Sequence, residues 1–335
     1  MPVRVAVDAM GGDHAPGVVV EGVAEAIEEA GDRLAVMLVG VEDEVRAEME
    51  RVGLAEDAAT VVHAPEVVGM GESPSVALKT KPQSSIALGI GAVKRGSADA
   101  FASAGNTGAV MAAALFGLGR LPGVARPALP GYLPTPDGTI ILLDVGANIE
   151  VRPEHLVQFA RMGRVFGQYF LQTDEPTIGL VNVGEEPTKG TDTLKEAHER
   201  LSAADGLNFV GNVEGRDILT HGADICVSDG YVGNVVLKLA ESVATILPQM
   251  VKNEIGRQGL GADDARTIGG VLKGVFDPFD YQNFGGVPLL GIDGTVVIGH
   301  GGSTARAVRQ MVLQAVGLVQ ENVTRRIGAA LASAD

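Results

Sequence analysis

Short apolar runs alternate with helical patterns along the whole chain, and this alternation is the feature that most constrains the fold. Apolar runs at 4–7, 34–39, 99–102, 140–144, 178–181, 208–210, 224–227 and 295–298 predict strands. Helical patterns follow at 18–30, 83–94, 154–170, 191–202, 232–251 and 304–327, with others after the second strand and from Thr107. This order predicts an α/β fold with a mostly parallel sheet covered by helices on both faces.

We see no tandem repeat or low-complexity linker, so the sequence predicts a single α/β/α domain over 1–335. The stretch 252–288 lacks strand alternation and is predicted to be an irregular excursion from the sheet. Two interpretations stay open for it. It is either a segment for dimerisation or membrane contact, or a plain surface connection.

Charge is distributed unevenly along the chain. The net charge of −16 argues against general nucleic-acid binding. Residues 1–72 carry sixteen acidic and four basic side chains, whereas 73–136 carry one acidic and six basic side chains. The second stretch is either an ordinary solvated face or a surface that faces an anion.

The single cysteine, Cys226, lies in an apolar run, which predicts an inert core thiol and no internal disulfide. The first residues lack the apolar stretch of a signal peptide, and no apolar run reaches the roughly 18 residues of a membrane span. We therefore expect a cytoplasmic protein, with attachment to a membrane surface left open. No metal-type spacing is present, and we expect no cofactor.

Seven predicted strands are followed by loops that combine Gly with Asn, Ser, Thr or Asp. These loops are 8–16, 103–108, 144–148, 182–190, 211–216, 228–234 and 299–304. Glycine lets backbone N–H groups approach a ligand, and a helix N-terminus attracts anions. Any one loop is explained by helix capping, but the seven together predict a polar cleft for phosphate or another small anion at the carboxyl ends of the strands.

None of these loops is a standard nucleotide or hydrolase signature. GEEPTKGT is not a P-loop because its Lys precedes the second Gly, and no GxGxxG follows the first strand. No GxSxG nucleophile elbow occurs. The sequence therefore gives little support to a nicotinamide-dependent dehydrogenase or to a covalent serine mechanism.

Eight motifs in order resemble those of the bacterial acyl-acyl carrier protein:phosphate acyltransferase family of phospholipid synthesis. They are VAVDAMGGDHAPG, KPQSSI, SAGNTGA, LLDVGAN, GLVNVGEEPTKG, FVGNVEGRDI, ADICVSDGYVGNVVLK and GHGGS. The resemblance implies a three-layer α/β/α fold of the phosphotransacetylase and isocitrate dehydrogenase type. It also implies a cytoplasmic homodimer that can associate with the membrane and passes acyl phosphate to a membrane glycerol-3-phosphate acyltransferase.

The resemblance also implies which residues act. Lys189 and Asn234 match catalytic positions of the family, where Lys189 would neutralise phosphate or the thioester oxyanion and Asn234 would donate its amide to the reacting oxygens. Candidate substrate-binding residues are Asp13, His14, Ser84, Asn106, Asn148, Asp229 and His300.

Acyl carrier proteins are strongly acidic, so we expect a basic docking face. Two sets of cations are candidates, and the sequence does not choose between them. The first set is Lys79, Lys81, Lys94 and Arg95, and the second is Lys252, Arg257, Arg266 and Lys273. The acids mixed into 252–280 predict weak attraction of the second set to anionic lipid. An apolar groove for the acyl chain is expected along 110–118 or 235–247.

Two other functions compete with this hypothesis. A short-chain phosphate acyltransferase would share the phosphate cleft and use acyl-coenzyme A as donor. A non-enzymatic scaffold for the carrier protein or the membrane would have no need of seven polar loops.

Overall fold

The computed structural model describes residues 1–332. Eleven strands lie in this part of the chain: β1 Val3–Asp8, β2 Leu34–Gly40, β3 Ala59–His63, β4 Ala100–Ser103, β5 Pro130–Thr135, β6 Gly138–Leu143, β7 Thr177–Asn182, β8 Asn208–Glu214, β9 Ile225–Val227, β10 Gly286–Pro288 and β11 Thr295–Gly299. The helices are α1 Gly17–Ala30, α2 Glu42–Val52, α3 Pro74–Thr80, α4 Ser85–Lys94, α5 Thr107–Gly117, α6 Pro153–Phe170, α7 Asp192–Ser202, α8 Gly215–Ile218, α9 Gly230–Gln258, α10 Ala262–Phe276, α11 Ala305–Gln320 and α12 Val323–Ala332.

The strands form two sheets, and the chain divides into two compact units, each with its own sheet. The first unit comprises Met1–Pro127 and Gln282–Asp335, and the second comprises Ala128–Tyr281. The predicted α/β class is confirmed, since both sheets are mostly parallel and flanked by helices. The assignment of all strands to one sheet is wrong, because apolar periodicity identifies strands but does not say which strands pair. The single-domain assignment stays a prediction.

The sheet of the first unit has the order β10-β11-β4-β1-β2-β3, with only β10 antiparallel. Its central strand, VRVAVD, exposes only Arg4, as expected of a parallel strand covered on both faces. Helices α4 and α11 both pack on β1, while α1 pairs with α11 and α5 pairs with α4. The carboxyl ends of β1, β4 and β11 lie at the same edge of this sheet because these strands are parallel.

The sheet of the second unit has the order β5-β6-β9-β7-β8, with only β5 antiparallel. Its core includes Ile140, Leu142, Val213 and Cys226, and the N-terminal half of α9 covers it through Leu237 and its neighbours. Burial raises the pKa of the Cys226 thiol to about 12, which confirms an inert core thiol.

The region 252–288 is mainly helical, so the prediction of an irregular excursion is wrong. Helix α9 continues to Gln258, and α10 follows after a Gly259 turn in the left-handed region with φ 64°. Ile268, Val271 and Val275 recur in α10 at the three- and four-residue spacing of a helix, and acids in its first turn favour the helix N-terminus. The many glycines between these residues conceal this period in the sequence.

Among residues 1–332, α9 is the one helix long and apolar enough to cross a membrane by length and composition alone. Only 11% of its most apolar 18-residue window is buried within the fold. Its first residues, however, pack against the sheet of the second unit through β5 and β6. The helix is thus part of the packed unit at one end and exposed along much of its length.

Candidate active site

The carboxylate of Asp144, at the end of β6, organises the loop that follows this strand. Asp144 is fully buried and accepts four hydrogen bonds from N–H groups. Its Oδ1 accepts from the backbone of Leu129 at 2.8 Å and Ala147 at 3.3 Å. Its Oδ2 accepts from the backbone of Asn148 at 2.7 Å and from Asn148 Nδ2 at 3.0 Å. Burial raises the pKa of Asp144, and these donors act in the opposite direction.

The N-terminus of α9 packs directly on this loop. The backbone N–H of Gly230 donates to the carbonyl of Asn148 at 2.7 Å. A Cβ at Gly230 would lie 2.7 Å from Oδ2 of Asp144, and a Cβ at Gly233 would overlap the carbonyl oxygen of Asp144. Only glycine at these positions allows the helix to approach so closely.

Asn234 lies in the first turn and a half of α9 and is exposed. A Cβ at Gly146 would lie 3.9 Å from the Cγ of Asn234, so the Asn234 side chain lies beside the loop 145–148. The sequence candidate Asp229 caps the helix, because its Oδ1 accepts the backbone N–H of Val232 at 2.8 Å. The N–H groups of Gly230 and Val232 are thus already engaged, and the site combines the side-chain amide of Asn234 with the positive end of the α9 dipole, which favours an anion.

The loop after β7 carries Lys189 and is held by two asparagines. Asn182, almost fully buried, donates its amide to the carbonyl of Lys189 at 3.2 Å and accepts the backbone N–H of Val183 at 2.8 Å. Asn212 of β8 donates to the carbonyl of Glu186 at 2.9 Å. The backbone around Lys189 is thus fixed although its side chain reaches the surface.

The side chain of Lys189 is exposed, and none of the ion pairs among residues 1–332 involves it. Its aliphatic part lies beside Gly184, where a Cβ would be 2.8 Å from the Cγ of Lys189. Because β7 and β9 are parallel neighbours, the Lys189 loop and the start of α9 leave the same edge of one sheet. The two predicted catalytic residues thus follow neighbouring strands.

In the first unit, Asp13 and His300 belong to loops that contact each other. The backbone N–H of Asp13 donates to the carbonyl of Gly301 at 2.8 Å, and a Cβ at Gly301 would lie 3.4 Å from both carboxylate oxygens of Asp13. His300 Nδ1 accepts the backbone N–H of Gly302 at 3.1 Å. His14 is exposed in the same loop as Asp13. Substrate binding by these residues stays a prediction.

Ser84 and Asn106 of the same unit use their side chains to begin helices. Ser84 is fully buried and accepts the backbone N–H of Ala87 at 3.3 Å. Asn106 Oδ1 accepts the backbone N–H of Ala109 at 3.0 Å. The Asn106 amide donates to three carbonyls of the preceding loop, those of Gly69 at 3.2 Å, Met70 at 3.0 Å and Glu72 at 2.9 Å. In this conformation both side chains position backbone, and a direct contact with substrate stays a prediction.

Sequence reasoning missed the two buried aspartates. Asp8, at the end of β1, is 2% exposed and accepts the Ser103 hydroxyl at 2.7 Å. Its pKa is raised by burial, as is that of Asp144. A signal was available, since both residues end an apolar strand and precede a Gly-containing loop. An Asp in that position is also an ordinary turn residue, so the pattern alone did not separate the two roles.

Among residues 1–332, one group of acids lies close enough to share a cation: Glu185, Glu214 and Asp217. The guanidinium of Arg216 already lies among them, 2.8 Å from Glu214, 3.2 Å from Glu185 and 3.7 Å from Asp217. Its positive charge takes the place that a metal ion would have, so we assign no metal to this group.

Comparison with known proteins places the chain in a family. The model of the family described as "Fatty acid synthesis protein" matches residues 3–326. The chain belongs to this family. It is 49% identical over 331 residues to the phosphate acyltransferase of Salinibacter ruber, with 98% of each chain covered. It is 45% identical over 335 residues to the phosphate acyltransferase of Chlorobaculum parvum, again with 98% of each covered. The resemblance seen in the eight motifs is confirmed.

Solved structures of low sequence identity show the same fold. A phosphotransacetylase from Streptococcus pyogenes superposes with a TM-score of 0.64 at 17% identity, covering 96% of this chain and 94% of that one. A branched-chain phosphotransacylase from Enterococcus faecalis V583 gives a TM-score of 0.59 at 16% identity, covering 95% and 99%. The predicted phosphotransacetylase-type fold is therefore confirmed.

Replacing Gly233 by alanine tests the close approach of α9 to Asp144. Because the added Cβ would overlap the Asp144 carbonyl oxygen, we expect Gly233→Ala to lower the free energy of unfolding by about 2–3 kcal/mol. The matched control is Gly256→Ala on the same helix, where no heavy atom lies within 4 Å of the added Cβ. This control should be neutral or stabilise by about 0.5–1 kcal/mol. Urea unfolding measures the free energy of unfolding of both variants, and equal values for the two would contradict the close packing of α9 on Asp144.

Proposed function

We propose that the protein transfers a fatty acyl group from acyl carrier protein to inorganic phosphate, and that it releases acyl phosphate for phospholipid synthesis. Relatives named phosphate acyltransferase, similar over nearly the whole chain, support the reaction class. The observation that carries the proposal is the position of Lys189 and Asn234 on segments that follow neighbouring strands, at the edge where Asp144 fixes the start of α9. The carrier protein as donor is proposed from the motif resemblance.

The reaction needs placement and charge control more than an activated side chain. An oxygen of hydrogen phosphate attacks the thioester carbonyl carbon, and the carbon–sulfur bond breaks with its electron pair going to sulfur. The hydrogen of the phosphate ends on the carrier thiol, so the step balances without another reactant. A thiol with a pKa of about 8.5 leaves readily, and phosphate is nucleophilic near neutral pH. Positioned donors therefore supply most of the lowering of the barrier.

The residues of the second unit take distinct roles in this proposal. The ammonium of Lys189 offsets the negative charge of phosphate or of the developing oxyanion. The amide of Asn234 donates to the reacting oxygens, and the dipole of α9 adds positive potential at its N-terminus. Asp144 and Asn148 position that helix, and Asp229 caps it. Asp144 thus acts through other groups.

Trapping of the product tests the proposed reaction. The purified protein is mixed with acyl-acyl carrier protein with and without phosphate, and acyl phosphate is trapped with hydroxylamine. We expect hydroxamate formation that depends on both protein and phosphate; the reaction without phosphate corrects for direct attack of hydroxylamine on the thioester. A parallel arm uses acyl-coenzyme A of equal acyl length. Faster turnover of that donor would favour the short-chain phosphate acyltransferase, and carrier binding without phosphate-dependent thioester loss would favour a scaffold.

Removal of the Lys189 charge tests the assignment of the catalytic cation. We expect Lys189→Ala to lower kcat/KM for phosphate about 100-fold, the usual cost of losing one preorganised donor. The control is Lys195→Ala on α7, whose exposed ammonium pairs with Asp192 at 3.2 Å. The control should keep the wild-type rate, measured in the same assay. Normal turnover and normal phosphate affinity of Lys189→Ala would show that another group neutralises the anion.

We also propose that the protein is a homodimer that pairs through α9. Exposed apolar residues recur along α9 at intervals of four or seven residues, which places them on one face of the helix; each is at least half exposed, and they are Tyr231, Val235, Leu239, Ile246 and Met250. Such a continuous apolar stripe is typical of a contact surface. We expect Leu239→Glu to shift the mass measured by light scattering from dimer to monomer, with Lys252→Glu on the same helix as the control. A monomeric wild-type protein would rule out the dimer.

We propose a cytoplasmic location with peripheral contact to the membrane, where a glycerol-3-phosphate acyltransferase would receive the acyl phosphate. The ground for this is the family resemblance, together with the exposed apolar residues Val271 and Val275 of α10. Cell fractionation tests it. Release of the protein from membranes by salt or carbonate would agree with the proposal, and extraction only by detergent would contradict it.

A further inference from the structure

The two candidate docking faces differ in how many of their cations are already paired. On α9 and α10, Arg257 forms an ion pair with Glu254 at 2.7 Å, and Arg266 forms one with Asp263 at 3.4 Å. Half of this set is thus neutralised by acids on its own helices. A face of this kind attracts an acidic partner weakly, because each approaching carboxylate also meets the local acids.

The other set lies on α3 and α4 and keeps most of its charge. Lys81 is engaged, since its ammonium pairs with Glu72 and donates to the carbonyl of Val67 at 2.7 Å. Lys79, Lys94 and Arg95 are exposed and take part in none of the ion pairs among residues 1–332. Three cations of this set therefore face solvent without an ion-pair partner among the described residues.

An apolar pocket of about 600 Å³ lies between α3, α4 and α5. Leu78, Ile90, Ala113 and Phe116 contribute to its lining, and Lys79 is part of its wall. The Phe116 side chain is 79% exposed, which is unusual for a phenylalanine of a packed helix. The volume lies within the range of about 300–1,000 Å³ that is typical of binding pockets.

A second cation also lies at the pocket. Gly91 of α4 lines it, and a Cβ at Gly91 would lie 2.9 Å from Nη1 of Arg95, so the Arg95 side chain folds back over this glycine. An exposed apolar pocket with cations on its wall and rim complements an acidic helix that carries one or two apolar side chains.

We propose that this surface, the α3–α5 face, is where the acyl carrier protein docks: an acidic helix of the carrier contacts Lys79, Lys94 and Arg95 and inserts an apolar side chain into the pocket. The inference rests on the proposed function, because it takes the acyl donor to be carried by that protein. The sequence offers two candidate docking faces and no reason to prefer either. The ion pairs and the pocket seen in the structure favour the α3–α5 face.

Charge reversal on each face tests the inference. We expect the double variant Lys79→Glu/Arg95→Glu to raise KM for acyl-acyl carrier protein at least about tenfold at low salt, with a smaller effect at high salt. The matched control is Lys252→Glu/Lys273→Glu, which reverses two unpaired lysines of the other face and should change this KM less than about twofold. Acyl-pantetheine, a donor without the carrier protein, should show no such rise with either variant.

Filling the pocket provides a second test that leaves the charges intact. Ala87 of α4 lines the pocket and is partly exposed, so Ala87→Phe should occupy it and raise the KM for the carrier-bound donor. Ala47→Phe on exposed α2 adds the same side chain elsewhere and is the control. Circular dichroism and turnover of acyl-pantetheine show whether each variant is folded.

The outcomes separate the inference from the proposed function. If the wild type binds the carrier in fluorescence anisotropy, and Lys79→Glu/Arg95→Glu weakens this binding, docking stands even where no acyl phosphate forms and the proposed function fails. An unchanged carrier KM and affinity in both α3–α5 variants would overturn the inference. A rise caused by Lys252→Glu/Lys273→Glu would move docking to the other face. Loss of binding to vesicles of anionic phospholipid, with the carrier KM unchanged, would assign the α3–α5 face to the membrane and also overturn the inference.

Discussion

The buried carboxylate of Asp144 is the constraint on which the candidate site depends. It is removed from water at the end of β6 and satisfied by four N–H groups, three of which belong to the loop 145–148. The first turns of α9 pack against that loop so closely that Gly230 and Gly233 could not carry a side chain. Removing a hydrogen-bond donor from such a network leaves a buried charge unsatisfied, which lowers the free energy of unfolding far more than the loss of an exposed contact does.

A rigid edge of this kind suits a reaction whose nucleophile is already reactive. In the proposed reaction the protein holds two anionic centres together, and donors and dipoles that are in place before the substrate arrives need no reorganisation in the transition state. Lys189 adds an exposed ammonium on a backbone held by Asn182 and Asn212. The cations of the α3–α5 face are likewise in place before a partner arrives, because they form no ion pair among the described residues.

Much of the fold could be predicted from sequence because its central strands are nearly continuous apolar runs. The strands missed were three of the four edge strands, β3, β5 and β10. Of these, β5 carries Pro130 and Pro134, and β10 has three residues ending in Pro288, as edge strands tolerate. The division into two sheets could not be predicted, since pairing depends on contacts far apart in sequence. The motifs singled out Lys189 and Asn234 as candidates, and their catalytic roles stay a prediction. The structural roles of Asp8 and Asp144, in contrast, required knowledge of their burial and of the backbone that surrounds them.

The most direct test of the central claim is the titration of inorganic phosphate into ¹⁵N-labelled protein, followed by amide chemical shifts. If the edge built on Asp144 binds the oxyanion, the amides of the loop 145–148, of the loop 183–190 and of 229–234 at the start of α9 should shift together, with one dissociation constant. Saturable shifts confined to other parts of the chain, or no saturable shifts at all, would contradict the account.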